Sequence, residues 1–314
     1  MSTQATVASS FMPNARQGIS RHRVLLVAGY VLMIALIIGI FGYGFHYYTA
    51  NALERPFLEQ HGFLKPSGKI GVKLGFLGFG MFAVIFLYPL RKRWAWLSRI
   101  GTTKNWLDFH VLLGVSAPFV IALHSSFKFA GIAGMAFWIM LAVSLSGVVG
   151  RYLYNQIPRR LNAAEISRKE LQDFRQQLSE RLAAQSVLRQ ADIHRTLRLP
   201  SQEDVDRLPA VIALIYMFCL DILRPFRIAG LRRSVIPFPE KLTTCGGLLT
   251  TRHRNLEQAI ALAQEEASLS KRILFLARSQ QIFHLWHVVH KPFSYTFALL
   301  ALFHVGLVLT MGFF

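Results

Sequence analysis

The sequence is poor in cysteine and in acidic residues. Only two of its 314 residues are cysteine, Cys219 and Cys245, and they form no CxxC pair. This excludes a disulfide scaffold and an iron–sulfur cluster held by cysteine. Charged residues make up 16%, against about 25% in an average globular protein. The charge is also one-sided, with 16 Asp and Glu against 35 Lys and Arg.

Several motifs of soluble enzymes are also missing. The chain has no Walker motif, no Ser-His-Asp arrangement recognisable from spacing and no carboxylate pair within its apolar segments. The glycine-rich stretch GFLGFG at 75–80 has the spacing GxxGxG, lies inside an apolar segment and follows no predicted strand. It is therefore not a nucleotide-binding loop.

Long apolar runs are what the sequence has in abundance. Apolar residues make up 53% of the chain, and the mean hydropathy is +0.37. A pI near 10.6 is compatible with nucleic-acid binding, but apolar runs between basic clusters favour a membrane protein instead. A spanning helix needs about 20 mostly apolar residues. Five segments qualify: 24–45, 72–90, 107–127, 132–154 and 282–314.

The first of these segments follows Arg16, Arg21 and Arg23, as a signal peptide would. Its apolar run is longer than that of a signal peptide, and no small-residue cleavage site follows it. We therefore expect an uncleaved anchor.

The distribution of Lys and Arg predicts the orientation. The loop after the second span carries five basic residues, and the segment 151–281 carries 21 basic and 13 acidic ones. The loop 44–71 carries only three basic and two acidic residues. All strongly basic segments fall on one side if residues 1–23 form a cytoplasmic tail. We expect a bacterial inner-membrane protein with its N-terminus in the cytoplasm and its C-terminus in the periplasm.

Residues 155–281 are too long for a plain loop and are predicted to form a cytoplasmic helical insertion. Two apolar repeats at helical spacing predict the two helices of a hairpin, the second running straight into the fifth span: Leu171, Phe174, Leu178 and Leu182, then Leu256, Ile260, Ala263 and Ala267. The apolar run 211–223 contains Asp221 and has only 13 residues. We therefore expect 208–224 to be an interfacial helix, because a crossing there would reverse the fifth span.

The predicted fold is thus an all-α integral membrane protein, a bundle of about five transmembrane helices with a cytoplasmic helical hairpin insertion. Helices one to four occupy 24–154, and the fifth occupies 282–314.

Four of the eleven histidines lie in two spans with equal spacing. His110 and His124 are 14 residues apart, as are His290 and His304. Fourteen helical steps return to within roughly 40° of the starting direction and rise about 21 Å. Each pair therefore shares one helix face, with one imidazole near each membrane surface. Both spans are entered from the predicted cytoplasmic side, so His110 matches the depth of His290, and His124 that of His304.

Neutral imidazole is a common axial ligand of haem iron. The pattern predicts two b-type haems, an inner one between His110 and His290 and an outer one between His124 and His304. The alternative is that each histidine simply hydrogen-bonds a neighbouring helix. His287 is a fallback ligand for the inner haem, although it shares no face with His304. The run His284, His287 and His290 has the pattern HxxHxxH, which could also hold a separate metal.

Haem also needs cations for its propionates and room for its ring. The candidate cations are Arg91, Arg93, Arg151 and Lys291 at the inner site, and Lys128 and Lys73 at the outer site. Glycines on the second to fourth spans are candidates for close approach of a helix or a macrocycle.

The two histidine-bearing segments, DFHVLLGVSAPFVIALH at 108–124 and HKPFSYTFALLALFH at 290–304, carry a family resemblance. Two helices each bearing a His pair at this spacing resemble the ferric-reductase-like transmembrane domain. That superfamily includes NADPH oxidases, ferric reductases and the haem-binding membrane subunit of the bacterial methionine sulfoxide reductase system. The resemblance covers about 72–154 and 282–314. It implies the same two haem sites as the spacing.

NADPH oxidases continue from this domain into a flavin- and NADPH-binding domain, whereas this sequence has none after its fifth span. We expect electrons to come from a separate flavoprotein or iron–sulfur protein, or from quinol. The expected function is a dihaem b-type cytochrome that moves electrons across the membrane. Two alternatives are a quinone-reactive dihaem anchor of a respiratory complex and a non-enzymatic membrane scaffold or sensor. Membrane lipid is an expected partner, and nucleic acid is not.

Overall fold

The computed structural model describes residues 20–157, 172–173, 176–177, 179–180 and 199–312. Within these ranges the chain is helical and contains no strand. A short 3-10 turn occupies Arg55–Phe57. The α-helices are α1 Arg21–Tyr43, α2 Phe45–Thr49, α3 His61–Leu64, α4 Lys69–Arg91, α5 Ala95–Ser98, α6 Thr103–His124, α7 Gly131–Gln156, α8 Gln202–Arg207, α9 Ala210–Val235, α10 Phe238–Thr243, α11 Arg254–Leu274 and α12 Leu276–Thr310.

Five of these helices are long and apolar enough to cross a membrane: α1, α4 with the short α3 before it, α6, α7 and α12. The predicted all-helical class and the number of candidate spans are confirmed. The helices begin a few residues before the apolar segments because polar caps start them. Ser20 accepts a hydrogen bond from the backbone N–H of Arg23, and Thr102 accepts one from Asn105.

Contacts between helices fix the direction of three spans. Arg151 near the end of α7 pairs with Asp108 near the start of α6, so α6 and α7 are antiparallel. Trp286 near the start of α12 donates to the carbonyl of Ser146 late in α7, so α7 and α12 are also antiparallel. It follows that α6 and α12 run in the same direction. We call the end at which α1, α6 and α12 begin the first end, and the opposite end the second end.

The chain divides into two compact units, and the first contains residues 20–152 and 286–312. Its core lies where α4 packs along α6, with Val120 and Leu64 wholly buried. Glycine permits this close packing, since a Cβ at Gly78 would lie 2.3 Å from Cδ1 of Ile121.

At the second end of the first unit, the chain leaves α6 through two residues with positive φ, Ser126 (50°) and Phe127 (59°). Such values are uncommon outside glycine and persist where neighbouring contacts hold them. Arg55 donates to the carbonyl of Ser126 at 2.5 Å, and the hydroxyl of Ser126 donates to the carbonyl of Leu64 at 2.8 Å. The turn after α6 is thus held by the loop that precedes α4.

The second unit contains residues 153–157 and 199–285 among those described. Its core joins α9 to α11 through a small apolar cluster that includes Ile228 and Ile260. Two ion pairs join the same helices, because Arg232 binds Glu257 at 2.8 Å and Lys271 binds Asp221 at 2.5 Å.

Two predictions about the insertion need correction. The helix expected at 208–224 begins at Ala210 and continues to Val235, because Arg224, Pro225 and Arg227 end the apolar run without ending the helix. The helix over 256–267 is confirmed as part of α11, but it does not run unbroken into α12. Phe275 interrupts it with φ −95° and ψ 6° and has a buried side chain.

The other helix of the hairpin, predicted from Leu171, Phe174, Leu178 and Leu182, lies outside the described residues.

The antiparallel arrangement of α7 and α12 also bears on α9. Since α7 ends and α12 begins at the first end, the segment between them must cross a membrane an even number of times. A crossing by α9 alone does not fit this arrangement, and the interfacial position of 208–224 stays a prediction.

Candidate functional site

The two histidines of α6 are both anchored on α4. Nδ1 of His110 lies 3.1 Å from the carbonyl oxygen of Ile85, and Nδ1 of His124 lies 2.8 Å from that of Gly71. A carbonyl oxygen only accepts, so each Nδ1 must carry the proton and donate it. Each Nε2 then carries a lone pair.

A proline explains why the carbonyl of Ile85 is available to His110. In a regular helix this carbonyl would accept from the N–H four residues later, at Pro89, which has none. The same arrangement occurs in α6, where Pro118 leaves the carbonyl of Gly114 to accept from the hydroxyl of Ser144 at 2.8 Å. Both prolines therefore supply acceptors for side chains of a neighbouring helix.

His290 on α12 is held by side chains rather than by a carbonyl. Its Nδ1 lies 2.8 Å from Oγ of Ser146 on α7. The hydroxyl of Ser146 donates to the carbonyl of Val143 at 2.8 Å, so its oxygen accepts from Nδ1 of His290. Trp286 stacks on the imidazole with ring centroids 4.6 Å apart and donates its Nε1 proton to the carbonyl of Ser146 at 2.8 Å. His290 is thus fixed from two sides, with Nε2 bearing the lone pair.

His304 shares the protein-facing side of α12 with His290. Phe283, His290, Phe297 and His304 are all half-buried, and their spacing of seven residues places them on one side of the helix. Leu299, on another side of the helix, is 70% exposed. Both histidines of α12 therefore turn toward the bundle.

The structure brings the four histidines into two groups. His290 lies near enough to His110 to interact with it electrostatically, and the same holds for His124 and His304. Between the two levels α12 touches α4, where the rings of Phe297 and Phe82 meet edge to face at 5.2 Å. One histidine group lies toward each end of the bundle, and the parallel helices α6 and α12 contribute one imidazole each to both.

Glycines lie against two of these imidazoles. A Cβ at Gly75 of α4 would lie 2.8 Å from Cε1 of His124, and one at Gly147 of α7 would lie 3.8 Å from Cε1 of His290. A Cβ at Gly150 would lie 2.2 Å from the ring of Trp286. By contrast, Gly80 and Gly114 have open space around them. The prediction that glycines on these spans admit close approach therefore holds for Gly75, Gly147 and Gly150 but not for Gly80 and Gly114.

These observations fit the donor set of a bis-histidine haem. Histidines that bind metals usually donate their second ring N–H to a carbonyl or another acceptor, which fixes the tautomer and raises the basicity of the ligating nitrogen. His110, His124 and His290 all have this arrangement. Within the described residues, no protein group is bonded to Nε2 of these three rings.

The predicted propionate cations have varied surroundings. Arg91 is buried and donates to Thr103 at 2.9 Å and to carbonyls of Ser98 and Gly101 at 2.8 and 2.9 Å. Its guanidinium thus closes the loop between α4 and α6, and its predicted place beside a haem propionate stays a prediction. The side chains of Arg93, Lys73, Lys128 and Lys291 are exposed.

Arg151 is half-buried and belongs to a triad near His110. Its Nη2 lies 2.5 Å from Oδ1 of Asp108, and Nε2 of His22 lies 3.0 Å from Oδ2 of the same carboxylate. Asp108 itself is buried. The triad ties α1, α6 and α7 together at the first end.

His287, the fallback ligand, is half-buried, with its ring edge to face with Trp286 at 4.8 Å. No group of three His, Cys, Asp or Glu side chains that could hold a metal occurs in the part of the chain that the structure describes, which includes the HxxHxxH run.

Sequence reasoning missed the residues that orient the imidazoles, above all Ser146 and Trp286. Trp286 precedes His290 by one helical turn, and Pro89 frees the acceptor of His110; both signals are visible in the sequence. No sequence signal identifies Ser146, because its contact joins residues 144 positions apart.

Comparison with known proteins gives no further assignment. No protein-family model matches the chain, and no significant similarity to a curated protein or to a solved structure was found.

Proposed function

We propose that this protein is a dihaem b-type cytochrome that moves electrons across a membrane, from a separate redox partner at one face to an acceptor at the other. The observation that carries the proposal is the orientation of His110, His124 and His290, each with a protonated Nδ1 bound to an acceptor and a free lone pair on Nε2.

The pairing supports the same function. His110 and His290 would hold one haem toward the first end, and His124 and His304 the other toward the second end. When bound, the two haems supply one-electron carriers at two depths of the membrane. The chain orients the imidazoles through Ile85, Gly71 and Ser146, and each haem would be held by two histidines. This favours electron transfer over binding of a small molecule at the metal.

The charge pattern supports the sidedness. Basic loops flank the first end, which favours the cytoplasmic side for the site of His110 and His290. The electron donor, a flavoprotein, an iron–sulfur protein or quinol, would then deliver to that site.

Haem content tests the proposal directly. The purified full-length protein should show a reduced-minus-oxidised spectrum of b type and contain two haems per chain. His124→Ala and His290→Ala should each lower the content to one, because each removes one axial ligand. His284→Ala is the matched control, since His284 is exposed on the same helix as His290 and should keep both haems.

Purified protein without haem would refute the proposal and favour a scaffold or sensor. Unchanged haem content in both ligand variants would refute the assigned ligands.

A second candidate function is a quinone-reactive anchor of a respiratory complex. One observation favours it: the hydroxyls of Tyr47 and Tyr48 and Nδ1 of His61 are buried without a hydrogen-bond partner among the described residues. The rings lie together near the second end, with centroids 5.5 Å apart for the tyrosines and 5.8 Å apart for Tyr47 and His61. Buried polar groups normally have partners, and two hydroxyls and an imidazole suit the carbonyl oxygens of a quinone.

Burial and the neighbouring Tyr47 raise the pKa of Tyr48 to about 12, so its hydroxyl stays protonated and able to donate. A quinol analogue added during haem redox titration distinguishes the candidates. A shift of the haem spectrum or potential that is lost in Tyr47→Phe would favour the quinone function.

A further inference from the structure

A row of apolar side chains along α9 faces outward in the second unit. Val211, Ile215, Ile222 and Phe226 are 66, 56, 50 and 59% exposed, and Cys219 in the same row is also exposed. Their spacing of three or four residues places them on one side of the helix, along about 22 Å. An apolar surface of this length on a water-exposed helix would be costly, and such patches mark contacts with protein or lipid.

The opposite side of α9 is packed within the second unit, against residues at the end of α7 and the start of α12. The hydroxyl of Ser279 at the start of α12 lies 3.8 Å from Sδ of Met217. Asp221 lies 3.5 Å from Nε2 of Gln156, the last residue of α7. In the chain, the second unit follows α7 and precedes the main part of α12, so the outward row belongs to a segment tethered to the membrane at the first end.

Because α7 ends and α12 begins at the first end, the chain enters and leaves the second unit on one side of the membrane. A helix that lies on the membrane surface there can place an apolar row only in the near leaflet. Amphipathic helices of this type bury one apolar side at the boundary between headgroups and acyl chains.

The charged residues near α9 indicate which class of lipid headgroup would be bound there. Between residues 221 and 254, seven basic side chains accompany two acidic ones. Basic residues beside a membrane-surface helix attract anionic headgroups.

We propose that the row formed by Val211, Ile215, Cys219, Ile222 and Phe226 is immersed in the acyl-chain boundary of an anionic leaflet at the first end, as a monotopic surface of the insertion. This inference requires only that the five spans cross a membrane. It is independent of haem binding, so its failure would leave the proposed function untouched.

The native cysteine in the row provides the test. In a Cys245→Ser variant of the full chain, a nitroxide label on Cys219 reports its surroundings in vesicles of phosphatidylcholine and phosphatidylglycerol. The comparison label is carried by Gln258→Cys on α11, exposed in the structure, in a chain with both native cysteines changed to serine. Accessibility to oxygen, which concentrates in lipid, is compared with accessibility to a water-soluble nickel chelate.

We expect oxygen accessibility to exceed nickel accessibility at Cys219 and the reverse at Gln258. Equal exposure of both labels to nickel would overturn the proposal. A Cys219 label shielded from both reagents would also overturn it, and dipolar coupling between labels would then identify a second copy as the cover. In vesicles of phosphatidylcholine alone, the Cys219 label should become more accessible to nickel; an unchanged value would overturn the preference for anionic lipid.

Discussion

At the scale of single residues, the acceptors of the imidazole protons differ in kind. His110 and His124 donate to backbone carbonyls, which no side-chain substitution removes. His290 donates to the hydroxyl of Ser146, which one substitution removes. A hydrogen bond to Nδ1 makes the imidazole a stronger electron donor and thereby favours the oxidised metal.

Ser146→Ala should therefore raise the midpoint potential of one haem and leave the other unchanged. One neutral hydrogen bond contributes about 1 kcal/mol, which is on the order of 40 mV for a one-electron couple. A spectroscopic redox titration measures both potentials. Ser144→Ala is the matched control, because Ser144 lies on the same helix and bonds the carbonyl of Gly114 rather than a histidine. Equal shifts in both variants would contradict the role given to Ser146.

The glycine beside His124 gives a second prediction at this scale. A Cβ at Gly75 would lie 2.8 Å from the ring, so Gly75→Val should displace the imidazole and remove one haem. Gly80→Val on the same helix meets nothing within 4 Å and should retain both. Haem content per chain, measured by the pyridine haemochrome spectrum, distinguishes the two. Retention of both haems in Gly75→Val would contradict this prediction, because the His124 imidazole would then still bind haem beside the added side chain.

At the scale of elements, one carboxylate accepts most of the polar contacts at one end of the α9–α11 pair. Glu257 accepts from Arg232 and from both the backbone and the hydroxyl of Thr251. Burial alone would raise the pKa of Glu257, but the hydrogen bonds from Arg232 and Thr251 outweigh it and lower the pKa. The stabilisation from this group is thus present at neutral pH and is lost as the pH falls through the folded-state pKa, below 4.5.

Glu257→Gln should destabilise this helix pair by about 1.5–3 kcal/mol, the value of a hydrogen bond to a charged group. Backbone hydrogen exchange over residues 228–263 should accelerate at neutral pH. The effect should diminish in acid, where the wild-type carboxyl is also protonated. Glu203→Gln, at an exposed position, should change nothing. Unaltered exchange in Glu257→Gln would show that the apolar cluster and the Lys271–Asp221 pair suffice to hold the helices together.

The ends of the elements were less predictable than their existence. Apolar length predicts the five spans, because a helix that crosses the hydrocarbon core needs about 20 mostly apolar residues. It fails for α9, where Arg224 and Arg227 lower the hydropathy while the helix continues on packing against α11. It also fails at Phe275, a buried apolar residue whose break in the helix depends on tertiary packing.

At the scale of the whole molecule, the 14-residue spacing within the two histidine pairs predicted how residues of different helices are arranged. The spacing of His110, His124, His290 and His304 predicted that each pair of rings would share a helix face, and the predicted topology gave the two helices the same direction. The contacts of α7 with both helices give that direction independently. The orienting groups could not be predicted, because Ile85, Gly71 and Ser146 approach the rings only through tertiary folding.

The pairing of histidines across α6 and α12 is the central claim, and a double variant tests it most directly. His110→Ala and His290→Ala should each lower the haem content from two to one. The double variant His110→Ala/His290→Ala should still contain one haem, because both substitutions disable the same site. A double variant combining His290→Ala with His124→Ala should contain none. Loss of both haems from the first double variant, with retention of one in the second, would contradict the pairing.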